Sequence, residues 1–190
     1  MDYERKKQLN IKIIETVLPG ALIIEPVIYG DSRGFFLETW RQDQYRDLGI
    51  KETFVQDNHS RSGRNVLRGL HLQKNNPQGK LVRIARGAVF DVAADINPKS
   101  PTFGKWVGVE LNDENLKQFY VPPGYVHGFC VLSDVADFLY RCTEYYDPRD
   151  EAGVRWDDPD LAIAWPIKNP SLSEKDKLLP FLKTVGDNGL

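Results

Sequence analysis

Apolar residues fall along this chain in short runs rich in Val, Ile, Phe, Tyr and Trp, many of them alternating with polar positions. That alternation has the period of a strand, where successive side chains point to opposite faces. β-Branched and aromatic residues suit such pleated surfaces. The pattern predicts strands over 22–28, 35–40, 54–56, 66–73, 80–85, 88–96, 104–111, 118–121, 126–132, 137–143 and 162–165. Turn chemistry separates them at Tyr29-Gly30-Asp31, Asn76-Pro77-Gln78-Gly79, Arg86-Gly87, Asn97-Pro98 and Pro122-Pro123-Gly124. The helical pattern is thin. Residues 41–48 predict a short helix ended by Gly49. Ser173-Glu174-Lys175-Asp176 has the Ser-x-x-Asp form of a capping box, ahead of a short helix that stops by Pro180. Many short strands with regular punctuation predict an all-β antiparallel sandwich or barrel, with a jelly roll the natural candidate. Residues 150–190, richer in Pro and charge, read as a C-terminal arm on that barrel, and 1–10 as a polar extension.

Length and charge narrow the picture. The 190 residues fit a single domain able to bury its own core. A formal net charge of −2 argues against broad nucleic-acid or membrane-surface binding, while leaving room for a local basic pocket. The first ten residues carry no apolar leader, and no run approaches the ~20 apolar residues a spanning helix needs. Cys130 and Cys142 lack zinc-site spacing and read as buried thiols of a cytoplasmic protein. Imidazole chemistry must come from His59, His71 or His127.

Two segments carry candidate chemistry. In Arg68-Gly69-Leu70-His71-Leu72-Gln73, a fully extended backbone would put Gly69, His71 and Gln73 on one face and Arg68, Leu70 and Leu72 on the other. In Pro122-Pro123-Gly124-Tyr125-Val126-His127-Gly128-Phe129, a turn delivers His127 to the start of a strand. The two histidines could meet inside one barrel, though each alone also reads as a satisfied buried histidine. A zinc or iron site wants about three suitable ligands. Metal-binding cupins supply a His-x-His pair, a Glu and a later His. Here the pair position reads His71-Leu72-Gln73, no Glu follows closely, and Lys80 would put a cation in the pocket. No metal is expected.

The same residues suit acid–base work. A neutral His accepts a proton near pH 7. A carboxylate on its other nitrogen fixes the tautomer, a Lys stabilises an oxyanion, and a Tyr donates a proton. Tyr140, Tyr145 and Tyr146 are candidates between which spacing does not choose. In Asp31-Ser32-Arg33-Gly34-Phe35-Phe36-Leu37-Glu38, Arg33 offers a planar fork for phosphate, or is simply solvated beside a turn. No Gly-rich phosphate loop appears, so any nucleotide must be held by side chains.

Taken in order, these segments resemble the dTDP-4-dehydrorhamnose 3,5-epimerase family. The likeness runs from about 18 to 180 and includes Gln56-Asp57-Asn58-His59-Ser60, Val66-Leu67-Arg68-Gly69-Leu70-His71, Gln78-Gly79-Lys80, Phe138-Leu139-Tyr140 and Trp156-Asp157-Asp158-Pro159. The resemblance implies a cupin-type jelly roll acting on a dTDP-4-keto-6-deoxyhexose as a homodimer, without cofactor, nucleic acid or membrane. It implies His71 as base, Asp176 as its orienting carboxylate, Lys80 at the enolate oxygen and Tyr140 as acid. It implies Arg68 and His127 around the sugar and phosphate. Arg33, Glu38, Gln56 and Asn58 would meet the nucleotide and diphosphate, and Tyr29 and Tyr145 the thymine. Some N-terminal contacts would come from the partner subunit.

Rival readings remain at this stage. A single-site epimerase would use the same acid and base. A non-catalytic sugar-nucleotide binder would not need His71, Lys80, Tyr140 and Asp176 together. A metal-dependent cupin oxygenase is the third. Asp176 is itself ambiguous, since its local role is helix capping.

Overall fold

The computed structural model describes residues 11–184. The polar extension 1–10 and the last six residues lie outside them. The alternating segments form two antiparallel sheets. One has the order β1 (Lys12–Glu15), β2 (Leu22–Glu25), β10 (Gln118–Val121), β7 (Lys80–Arg86), β12 (Val135–Cys142) and β5 (Gln56–Gly63). The other has the order β13 (Glu151–Gly153), β6 (Leu67–Gln73), β11 (Val126–Val131), β8 (Ala88–Ala94) and β9 (Trp106–Asn112). A small hairpin, β3 (Tyr29–Asp31) with β4 (Gly34–Phe36), stands apart from both. This is the expected cupin-type jelly roll.

The period of two dictates what lies between the sheets. Val82 and Ile84 of β7, Phe119 and Val121 of β10, and Ala136 and Phe138 of β12 face Val89, Ala93, Val109, Leu111, Phe129 and Val131 of the other sheet. Burying such side chains stabilises the sandwich by about 1.5–3 kcal/mol each for the larger ones. Phe129 stacks on Phe138 across the gap, centroids 3.9 Å apart. The intervening residues serve the outer faces. Leu70, Leu72, Val92, Ala94 and Val126 meet Val154, Leu161 and Leu182 of the C-terminal arm. On the opposite side Ile24, Leu81 and Tyr120 are covered by Tyr45 of α1 (Gln42–Asp47) and by Ile50.

Several expectations are corrected, among them the turn at Tyr29-Gly30-Asp31: those residues form β3, and the turn falls on Ser32 and Arg33. Segment 162–165 is not a strand: Ile163 and Trp165 pack on the arm side of the sheet from irregular backbone, and the Trp165 indole donates to the Trp156 carbonyl at 2.8 Å. Strand 35–40 shrinks to β4, because beyond Phe36 the chain leaves the hairpin. Of strand 54–56 only Gln56 is in a strand, as the first residue of the eight-residue β5, whose sequence Gln-Asp-Asn-His-Ser-Arg-Ser-Gly carries no large apolar side chain. Its hydrophobic pattern is silent because its inward face lines a cavity. No helix of the described residues is long and apolar enough to cross a membrane.

Candidate active site

One open end of the sandwich is a cavity of about 620 Å³ lined by Arg68, His71, Lys80, His127, Tyr140 and Asp176, among others. Period-two geometry explains much of this. Lys80 extends the inward row of Val82 and Ile84, and Tyr140 extends that of Ala136 and Phe138. The rows turn from apolar to polar where the sandwich opens.

The extended-strand expectation for β6 fails at one point. Arg68 and His71, three residues apart, share the cavity. Pairing with β11 explains it: His127 opposes His71 while Phe129 opposes Arg68, so β6 carries an extra residue and the register shifts. The bulge sits at Gly69, whose φ is +109°. A Cβ there would lie 2.6 Å from the His127 carbonyl oxygen, so only glycine fits.

His71 is held from both sides. Its Nε2 lies 2.6 Å from Asp176 Oδ1 and its Nδ1 lies 3.3 Å from Glu151 Oε1. Asp176 comes from α2 (Glu174–Lys177), and the structure resolves its double reading. The Ser173 hydroxyl caps α2 by accepting from the Asp176 backbone N–H at 3.1 Å. The cap thus uses the backbone of Asp176 and leaves its carboxylate for His71. Burial pushes that carboxyl upward, but the His71 bond, together with the Ser173 and Lys175 contacts, outweighs it, so the pKa lies below the ordinary value. Glu151 arrives on β13, which pairs with β6. Its Oε2 accepts from Tyr146 at 2.7 Å and is paired with Lys175.

A second imidazole–carboxylate pair lies deeper. His127 Nε2 is 2.8 Å from Asp91 Oδ1, and Asp91 is fully buried. Its other oxygen has no hydrogen-bond partner among the described residues. Burial pushes the Asp91 carboxyl up, opposed by His127 and by the charge of Lys80. Lys80 shows the mirror effect: burial drives its ammonium below the ordinary lysine value, while Asp91 and Glu151 work the other way. Tyr140 stands edge-on to Phe138 at 5.7 Å, and burial keeps its phenol more firmly protonated than a free tyrosine. Arg68 is steadied by the Ser62 hydroxyl at 3.1 and 3.2 Å.

The remaining predicted residues divide. Gln56 and Asn58 line a neighbouring pocket that shares His71, Lys80, Tyr140, Tyr146 and Glu151 with the cavity. Arg33 is exposed on the β3–β4 hairpin and bound to Asp31, and Glu38 pairs with Arg41, so neither reaches this cavity within the chain. Tyr29 and Tyr145 are exposed and do not line it. Tyr146, whose neighbour Tyr145 points to solvent, does. His59 faces outward from β5 against Asp137 at 3.2 Å. Sequence reasoning assigned no role to Asp91, Glu151 or Lys175. Asp91 did leave a signal, a lone carboxylate inside the apolar run Ala88–Ala94. Glu151 left none, because β13 is three residues long.

Such an arrangement can remove a proton with an oriented imidazole, neutralise an oxyanion with an ammonium and return a proton from a phenol. Comparison with known proteins gives the same direction. Residues 15–184 match the family model described as dTDP-4-dehydrorhamnose 3,5-epimerase. A protein of that description from Salmonella typhimurium is 53% identical over 173 residues, covering 90% of this chain and 94% of its own. One from Methanothermobacter thermautotrophicus is 50% identical, covering 88% and 92%. The crystal structure of dTDP-6-deoxy-D-glucose-3,5-epimerase from Legionella pneumophila in complex with dTDP-4-keto-L-rhamnose superposes with a TM-score of 0.90. It is 51% identical and covers 94% of this chain and 96% of that one.

Proposed function

The chain belongs to the dTDP-4-dehydrorhamnose 3,5-epimerase family, and from that premise we propose how its residues divide the work of inverting a dTDP-4-keto-6-deoxyhexose at C3 and C5. The ketone at C4 acidifies the protons on both neighbouring carbons. His71, oriented by Asp176, removes each in turn. The electron pair moves onto the C4 oxygen, and Lys80 stabilises the enolate. Tyr140 returns a proton from the opposite side, which inverts the carbon. Protons are exchanged and none is lost overall, so the reaction requires no redox cofactor.

Arg68 and His127 hold the sugar and phosphate end, and Gln56 and Asn58 the nucleotide side. Arg33, Glu38 and Tyr29 complete the nucleotide site from a partner subunit in a homodimer, and Tyr145, next to Tyr146 and with its carbonyl bonded to Gln73, meets the thymine from the same chain. The β3–β4 hairpin supports this part of the reading. It exposes Tyr29, Phe35 and Phe36 to at least 59% each, more apolar surface than a free hairpin tip usually carries. The protein works in the cytoplasm, in keeping with two free, buried cysteines.

The observation that carries the reading is the meeting of the His71–Asp176 pair, Lys80 and Tyr140 in one cavity. The test is turnover of dTDP-4-dehydro-6-deoxy-D-glucose in deuterated buffer. Deuterium is expected at both C3 and C5 of the product. Label at one carbon alone would mean a single-site epimerase, and label at neither a binding protein.

A further inference from the structure

Two inversions on one bound sugar pose a problem of proton inventory. Each leaves His71 with an extra proton and Tyr140 as a phenolate. The second can begin only when His71 is neutral and Tyr140 protonated again. The sugar occupies the space between them, so the exchange must run around it.

The contacts of His71 offer such a route. Nε2 is committed to Asp176 at 2.6 Å, so the substrate proton arrives on Nδ1. The acceptor facing Nδ1 is Glu151 Oε1, at 3.3 Å. The other oxygen of Glu151 holds the Tyr146 hydroxyl at 2.7 Å. Tyr146 is about half exposed and lines the same cavity as Tyr140. Glu151 itself is fixed by Lys175, the residue next to Asp176, so both carboxylates around His71 are tied to α2.

We propose that Glu151 and Tyr146 form a relay that resets the acid and the base between the two inversions. This rests on the functional reading above. The Nδ1–H bond breaks as an O–H bond forms on Glu151. The carboxyl turns to bring that proton to the Tyr146 oxygen, whose own O–H bond breaks toward solvent in the cavity as the new one forms, and the Tyr140 phenolate recovers a proton from that solvent. One proton leaves His71 and one reaches Tyr140, with no net change. Burial would favour a protonated Glu151, but the Lys175 and Tyr146 bonds outweigh it and hold its pKa below the ordinary value. It therefore passes the proton on and does not retain it.

The test is a single turnover of Glu151→Gln in deuterated buffer, following label at each carbon and release of singly inverted sugar. Glutamine keeps the size and a hydrogen-bonding oxygen but cannot carry a proton. The first inversion is expected within about threefold of wild type, the second slowed about tenfold or more, with singly inverted sugar released. Added formate or imidazole should restore the second step. Equal slowing of both steps without accumulation would overturn the relay. Tyr146→Phe, which leaves both partners of His71 in place, should accumulate the same sugar to a smaller extent. Should Glu151→Gln fail to fold, absence of accumulation in Tyr146→Phe would overturn it. Wild type labelling neither carbon would remove the functional reading itself, a separate outcome.

Discussion

The two imidazole–carboxylate pairs of this protein are chemically alike and physically opposite. His127 and Asp91 come from neighbouring strands of one sheet and are almost entirely buried. His71 and Asp176 come from a strand and a helix 105 residues apart, and the His71 side chain is 22% exposed. In the buried pair Asp91 is enclosed, so its charge is expensive without its partner. In the open pair one ring nitrogen is anchored by Asp176 and the other faces Glu151 at the cavity. The same two residue types thus give an enclosed hydrogen-bonded pair in one place and, on the function proposed above, a base in the other. Enclosure decides the role.

That contrast can be broken by removing each imidazole. His71→Ala is expected to slow epimerisation about 10³-fold and to destabilise less than His127→Ala, because the His71 ring borders the open cavity and water can take its place beside the buried Asp176. His127→Ala should instead destabilise by about 3 kcal/mol, since Asp91 is left buried without its partner. Paired activity assays and thermal melts check this. If the His71 variant were the less stable of the two, enclosure would not be what separates the pairs.

A smaller effect sharpens the open pair. Asp176→Asn should lower kcat about 10²-fold with the nucleotide affinity unchanged, as the imidazole loses its orienting charge. The α2 cap, made by the Ser173 hydroxyl and a backbone N–H, should survive. Ser173→Ala offers the converse: it costs about 1 kcal/mol of helix-end stability and leaves the His71–Asp176 bond in place. A drop in melting temperature for Asp176→Asn equal to that of Ser173→Ala would return Asp176 to a capping role.

The smallest effect concerns the third imidazole and calibrates the other two. His59 shares the Asp137 carboxylate with Arg61 on the outer face of β5. Arg61 above all holds that carboxyl at about 2, below the ~3.9 of an unfolded aspartate. A depressed carboxyl contributes stability that is full above the unfolded value and lost as pH falls through the folded one. The melting-temperature gap between wild type and Asp137→Asn should therefore be greatest above about pH 5 and close towards about pH 2. A gap that widened on acidification would reverse the assignment.

How much of this could be read from sequence depended on which face a residue serves. Strands β7, β10, β11 and β12 were legible because apolar residues mark their core-facing rows. Lys80 and Tyr140 continue those rows into the cavity, but spacing does not choose Tyr140 over Tyr145 and Tyr146, and its role comes from the family resemblance. Strand β5 was not legible, since its inward residues Gln56, Asn58 and Ser60 line the cavity and the pocket beside it and carry no apolar mark. Parity misled at β6, where the bulge at Gly69 turns Arg68 to the side of His71. Glu151 depends on the pairing of a three-residue strand with β6, where Gly153 is so close that a Cβ would lie 1.9 Å from the Leu70 carbonyl oxygen. No local pattern encodes such a tertiary contact.

The distance along the chain between His71 and Asp176 has one more consequence. Every strand of the described residues but the short edge strand β13 lies before the arm, while the carboxylate bonded to His71 is carried beyond β13. During synthesis the barrel can assemble before the residue that activates it has left the ribosome. On the function proposed above, local detachment of the segment beyond β13 would silence the enzyme while both sheets stay folded, because such peripheral segments open at lower free energy than the core. Catalytic rate is therefore a gauge of arm docking, sensitive to openings that a global melting curve would not register.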